Sequence, residues 1–132
     1  MKVVVDSSVW SLAFRWSQKS PHPKVSLLQE LIADGRVVLI GAVRQELLSG
    51  IKVPTQYERL KSVLRAFPNF SLDTEDYELA ASYFNISRKN GVQGANTDFL
   101  ICAVAYRRSY AILTTDKDFE NFKQRISISL IS

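Results

Sequence analysis

The chain is poor in residues on which several kinds of chemistry depend. Its one cysteine, Cys102, lies inside an apolar run. An intrachain disulfide is therefore excluded and nothing calls for an oxidising compartment. The one histidine, His22, sits in a loop flanked by Pro21 and Pro23. A histidine-based mechanism would need that ring beside other reactive groups, and the loop offers none. No apolar stretch is long enough to span a bilayer. The opening, Met1–Asp6, does not read as a signal peptide, because Asp6 interrupts the apolar run and no small-residue cleavage site is evident. The expectation is a cytoplasmic protein. Linkers, repeats and low-complexity segments are also lacking, so residues 1–132 are expected to form a single domain with a sizeable core.

What is present is an ordinary globular balance, 46% hydrophobic and 23% charged, with 17 Lys and Arg against 13 Asp and Glu. If a metal neutralises four of the acids, the remaining surface is clearly basic, which suits a polyanion such as nucleic acid.

Hydrophobic periodicity and turn residues divide the chain into alternating strands and helices. Strands are expected at Lys2–Asp6, Val37–Ile40, Phe70–Leu72, Ala111–Thr114 and Ile126–Leu130. Helices are expected from Ser7–Ser8 to about Trp16, then at Val25–Asp34, Ala42–Ser49, from Pro54 to about Ala66, from Glu75 to about Lys89, at Asp98–Arg108, and from Asp118 to about Gln124. The segment from Asp98 is apolar all round, and its alanines and closing Arg107–Arg108 favour a buried helix over a strand. This order predicts an α/β fold with a central parallel sheet of about five strands covered by helices on both faces.

Four carboxylates stand beside apolar segments. Asp6 closes the first strand, Glu46 lies one helical turn past the second, Asp98 opens the apolar helix, and Asp116 follows Leu113–Thr114–Thr115. Singly, each has an ordinary role: a helix cap for Asp6, a solvated helix position for Glu46, a first-turn acid for Asp98, a turn former for Asp116. Together they suggest more, because buried carboxylates are costly unless paired, hydrogen-bonded or bound to a cation. In open α/β sheets ligands bind beyond the carboxyl ends of the strands. Four acids meeting there would suit Mg²⁺ or Mn²⁺, which can activate water and neutralise charge in phosphodiester hydrolysis. Asp6, Asp98 and Asp116 are the expected metal ligands, and Glu46 suits orienting the attacking water or bridging to a second ion. Ser7, Thr114 and Asp118 are candidates to hold the ligands in place through hydrogen bonds.

These residues resemble the motifs of PIN-domain ribonucleases. Val5–Asp6–Ser7–Ser8–Val9–Trp10 resembles the opening motif, and Glu46–Leu47–Leu48–Ser49–Gly50 the second. Thr97–Asp98–Phe99–Leu100–Ile101–Cys102–Ala103 resembles the third, and Leu113–Thr114–Thr115–Asp116–Lys117–Asp118–Phe119 the fourth. One departure is Ser8, where many relatives carry Asn. The compact length is most similar to the VapC-type toxins of toxin–antitoxin pairs. The resemblance implies a PIN-like three-layer fold and a Mg²⁺- or Mn²⁺-dependent endoribonuclease whose catalytic acids are Asp6, Glu46, Asp98 and Asp116. It also implies a homodimer, inhibition by a VapB-like antitoxin, and a structured cellular RNA such as tRNA or rRNA as substrate. The alternatives are a housekeeping PIN nuclease without an antitoxin, or a non-catalytic RNA-binding module. A haloacid-dehalogenase-type phosphotransferase is disfavoured, because Ser8 stands where a second Asp would be needed. A receiver-type phosphorylation domain is disfavoured too, since Asp6 has no acidic neighbour.

Of the remaining features, Trp10 and Phe14 are expected in the core, and Trp16 at the surface, where it could serve a partner. Cys102 reads as a buried small hydrophobe. Arg15, Lys19 and Lys24 around the first loop, and Lys52, Arg59 and Lys61 along a later helix, include candidates to track RNA phosphates.

Overall fold

A computed structural model describes residues 1–15 and 22–131. Trp16, Lys19 and the Ser17–Pro21 part of the first loop lie outside the described residues. Three consecutive valines form β1 (Val3–Val5), whose side chains are all fully buried. β-Branched residues fit the pleated backbone, and a continuous apolar run fits a strand covered on both faces. The chain continues through α1 (Ser7–Ala13), α2 (Pro23–Ala33), β2 (Val37–Val38), α3 (Gly41–Leu48), α4 (Pro54–Leu64), α5 (Thr74–Lys89), α6 (Asn96–Arg108), β3 (Ala111–Leu113) and α7 (Asp118–Lys123). No helix among the described residues is long and apolar enough to cross a membrane.

The sheet is parallel and has the order β2–β1–β3. The chain leaves β1 towards β2 on one side and later reaches β3 on the other. That reversal opens a crevice beyond the carboxyl ends of β1 and β3.

The sheet has three strands rather than about five. The Phe70–Leu72 segment makes one ladder-like bond, Phe70 N–H to the Leu39 carbonyl at 2.8 Å. Pro68 just before it has no N–H to offer, and Arg44 takes the carbonyls of Leu64 and Phe67. The Ile126–Leu130 segment shrinks to a parallel bridge between Ile112 and Leu130. A tight turn, Ile128 N–H to the Ile126 carbonyl at 2.9 Å, pulls the backbone out of the extended form before pairing begins. Burial still alternates along it: Ile126 and Ile128 are buried, while Ser127 and Ser129 are exposed. β2 also stops two residues early, because Ile40 serves as the N-cap of α3.

The apolar segment from Asp98 is a helix, and Ile101 to Ala105 are completely buried. It packs on β1 and β3, and against α5. Its start is set by a close contact. A Cβ on Gly94 would stand 2.6 Å from the Phe122 ring and 2.9 Å from that of Phe99. Only glycine lets the loop before α6 lie on the Phe99–Phe119–Phe122 ring cluster. At the other end of α6, Arg107 and Arg108 close on Asp76 of α5, which is fully buried. Both guanidinium groups donate to Asp76 Oδ1 at 2.7 Å, and Oδ2 takes Arg108 at 2.9 Å and the Asp73 N–H at 2.8 Å. Trp10 is in the core as expected, stacked 6.3 Å from the half-buried Phe14.

The Arg108 guanidinium beside Asp76 holds this carboxyl well below the usual range, followed by the Asp73 amide and Arg107. A depressed carboxyl stabilises the fold above its unfolded value near 3.9, and that contribution is lost as pH falls. Asp76→Asn is expected to cost about 3 kcal/mol at pH 7, by stranding two arginines. It should also flatten the acid limb of stability below about pH 4. Urea melts of both proteins from pH 2.5 to 7 measure this. Parallel pH curves would refute the assignment.

Candidate active site

Asp6 is the first residue past β1, and its amide still pairs with the Leu113 carbonyl at 2.9 Å. Its extended backbone starts α1, but its carboxylate does not cap the helix. The ordinary explanation for this aspartate therefore fails. Asp6 is only 3% exposed, and a carboxylate so buried needs donors. It has two, Ser8 Oγ at 2.7 Å and Thr114 Oγ1 at 2.8 Å, and both donate to Oδ2. No hydrogen bond from the described residues reaches Oδ1, which remains the free acceptor.

The same hydroxyls organise the end of β3. Thr115 N–H donates to Ser8 Oγ at 3.0 Å, and Asp116 N–H to Thr114 Oγ1 at 3.0 Å. Lys24 of α2 donates to the Thr114 carbonyl at 2.6 Å. Asp116 is half-buried, and its Oδ1 accepts the Asp118 N–H at 2.9 Å. The local turn thus exists as one reading of the sequence expected, and it aims the Asp116 carboxylate. Asp118 contributes here through its backbone amide; no bond of its side chain to the acids is seen among the described residues.

Glu46 is exposed on α3, and Ser7 Oγ donates to its Oε1 at 2.6 Å. This links α3 to the first turn of α1. α3 is tied down in turn by Arg44, whose Nε donates to Asn69 Oδ1 at 2.8 Å. Asp98 is half-buried in the first turn of α6, and its Oδ2 accepts the Ala95 N–H at 3.0 Å. Burial pushes its pKa up to about 6. The charges of Asp6, Asp116 and Glu46 push the same way, and the Ala95 amide opposes them. All four predicted acids therefore share one field at the carboxyl edge of the sheet.

Cys102 lies one turn beyond Asp98 and is fully buried. Burial, then Asp98 and Asp6, drive its thiol far up, so it is no nucleophile. His22 Nδ1 accepts the Lys24 N–H at 3.1 Å as the cap of α2, a structural duty.

The donor set, carboxylate oxygens that repel one another, is the chemistry that a hard dication relieves. No group of three or more His, Cys, Asp or Glu among the described residues is arranged to hold a metal ion as it stands. Mg²⁺ is usually held by one or two carboxylates with several waters, and separated neighbouring acids fit that habit.

Sequence reasoning missed two contributors. Ser8 entered as a departure from the family motif, as part of the first helix's start and as the residue that disfavours a haloacid-dehalogenase-type site, yet its hydroxyl bridges Asp6 to Thr115. Its position two residues after an aspartate was the available signal. Lys24 was placed among phosphate-tracking lysines, and nothing in its neighbours announces a bond across 90 residues to Thr114.

The Asp98 shift has a sign. The fold disfavours the ionised form, so stability is intact below about pH 4 and falls as pH rises towards 6. With discount for solvent screening, Asp98→Asn should stabilise the metal-free protein by about 1–2 kcal/mol at pH 7.5 and leave it unchanged at pH 4. Thermal melts in chelator at the two pH values test this; equal destabilisation at both would contradict it.

The fold is shared with solved structures at low sequence identity. One is FitAcB from Neisseria gonorrhoeae (TM-score 0.74, 20% identity, 98% of this chain and 96% of that one). Another is VapBC2 from Rickettsia felis bound to a DNA fragment from its promoter (TM-score 0.77, 18% identity, 99% and 98%). A third is VapBC-5 from Mycobacterium tuberculosis, a member of the VapBC family of toxin–antitoxin systems (TM-score 0.69, 18% identity, 99% and 98%). No curated protein matches the chain. The family model of the PIN domain matches residues 3–124, a span that begins in β1, ends just past α7 and holds all four acids. With nearly the whole chain so matched, this protein belongs to the PIN domain family.

Proposed function

We propose that this chain is a divalent-metal-dependent endoribonuclease and the toxin of a toxin–antitoxin pair, acting in the cytoplasm. The observation that carries the nuclease reading is the raised Asp98, a carboxyl that feels Asp6, Asp116 and Glu46 at once. Perturbed acids gathered in a crevice mark functional sites, and PIN domains are typically nucleases. Asp6, Asp98 and Asp116 would hold Mg²⁺ or Mn²⁺, partly through water. The ion would neutralise charge on the phosphoryl oxygens and make bound water a nucleophile at neutral pH. Asp6 presents Oδ1 because Ser8 and Thr114 occupy Oδ2. Glu46, steadied by Ser7, suits orienting the attacking water from the open side. Thr114 aims both Asp6 and Asp116, so one hydroxyl sets the spacing of two acids.

Cleavage of a structured RNA such as tRNA or rRNA in Mg²⁺ or Mn²⁺ should stop with chelator and fall at least about 100-fold in Asp6→Asn, the scale of losing preorganised charge stabilisation. Cleavage indifferent to both would reject the assignment.

The toxin reading is supported by neighbours that are themselves toxin–antitoxin complexes, including one from Klebsiella pneumoniae (TM-score 0.63, 18% identity, 89% of this chain and 90% of that one). A homodimer bound by a VapB-like antitoxin is the proposed resting assembly. Induction of the chain alone should arrest growth, and co-expression of a small protein encoded beside it should restore growth. Harmless overproduction of a nuclease that cuts RNA in vitro would point instead to a housekeeping enzyme.

A further inference from the structure

Beside the acidic centre the end of β3 borders a second recess, a cleft of about 420 Å³. Its wall includes Lys24, Asp116, Lys117, Glu120 and Lys123, and Leu130 and Ile131 add apolar surface. Asp116 belongs to both places, so a polymer crossing the acidic centre on this side enters the cleft next. With Asp116 counted to the centre, the cleft's own charges are three lysines against Glu120. The ion pairs found among the described residues lie elsewhere. Glu120 stands three residues from both Lys117 and Lys123 on α7 yet is salt-bridged to neither, so both ammonium groups remain available to another anion. Lys24 is half-buried and already placed, through its 2.6 Å bond to the Thr114 carbonyl.

Cations next to a centre where a phosphodiester would be cut, with apolar surface among them, match the repeating chemistry of a nucleic acid strand: phosphate, then sugar and base. From this, and resting on the nuclease reading above, we infer that the Lys24–Lys117–Lys123 cleft is a non-catalytic subsite for the RNA backbone flanking the scissile bond. Lys117 and Lys123 hold phosphates there, and Glu120 weakens the hold.

The test is fluorescence anisotropy with a labelled single-stranded RNA 12-mer in chelator, over a series of KCl concentrations, alongside cleavage of the same RNA in Mn²⁺. Lys117→Gln/Lys123→Gln is expected to weaken binding about 10-fold at 0.1 M salt. It should also reduce the slope of log affinity against log salt by about 1.4, two single-strand phosphate contacts. In cleavage the double variant should raise KM with kcat kept, and Glu120→Gln should tighten binding. Wild-type protein that binds and cuts the RNA, with affinity and salt slope unaltered in the double variant, would overturn the subsite and leave the nuclease standing. Wild-type protein that neither binds nor cuts this RNA, and cuts no structured RNA either, would overturn both.

Discussion

The arrangement at the acidic edge depends on β1 lying between β2 and β3. Because β1 is central and parallel to both, its last residue emerges at the switch point of the sheet, beside the end of β3. Asp6 is carried there whatever its own preference for water. A carboxylate only 3% exposed is tolerable because two hydroxyls donate to it. Those hydroxyls come from α1 and from the end of β3, so the bonds that satisfy Asp6 also fasten the elements that carry Asp6 and Asp116. Stability and site geometry share the same few atoms.

Two aspartates in the first turns of adjacent helices show how environment decides role. Each accepts a backbone amide three residues earlier, Asp76 from Asp73 and Asp98 from Ala95. Asp76 meets two arginines and its pKa falls; Asp98 is desolvated by burial, with three carboxylates adding to the effect, and its pKa rises to about 6. The first is a completed ion cluster that fastens α5 to the end of α6. The second lies at the opposite end of α6, where Asp98 feels the charges of Asp6, Asp116 and Glu46 and no ion pair to it is found among the described residues. A carboxyl so perturbed marks a candidate functional site.

The helices do much of the covering that further strands were expected to share. α6 supplies five consecutive fully buried residues against β1 and β3, so a short sheet suffices to bury the core. The outer segments Phe70–Leu72 and Ile126–Leu130 contribute apolar side chains without full ladders. Both were expected as strands and neither pairs as one, since period two reports which side faces inward, whereas pairing needs free donors and an extended backbone. Gly94 shows the converse: an unremarkable loop glycine in the sequence, obligatory once Phe99 and Phe122 occupy the space above it.

By itself, the amino-acid order determined the alternation of elements and the buried character of β1 and α6, and it singled out the four acids as candidates. Each of these is written in local periodicity, composition or motif. Tertiary structure decided which oxygen of Asp6 is free, that Ser8 and Thr114 hold it, that Lys24 reaches Thr114, and that burial pushes the pKa of Asp98 up to about 6. The Ser8 bond spans only two residues, but Thr114 and Asp6 are 108 positions apart and Lys24 and Thr114 are 90 apart, separations at which neither spacing nor propensity carries information. Only the packing of three parallel strands brings such groups within hydrogen-bonding and Coulombic range.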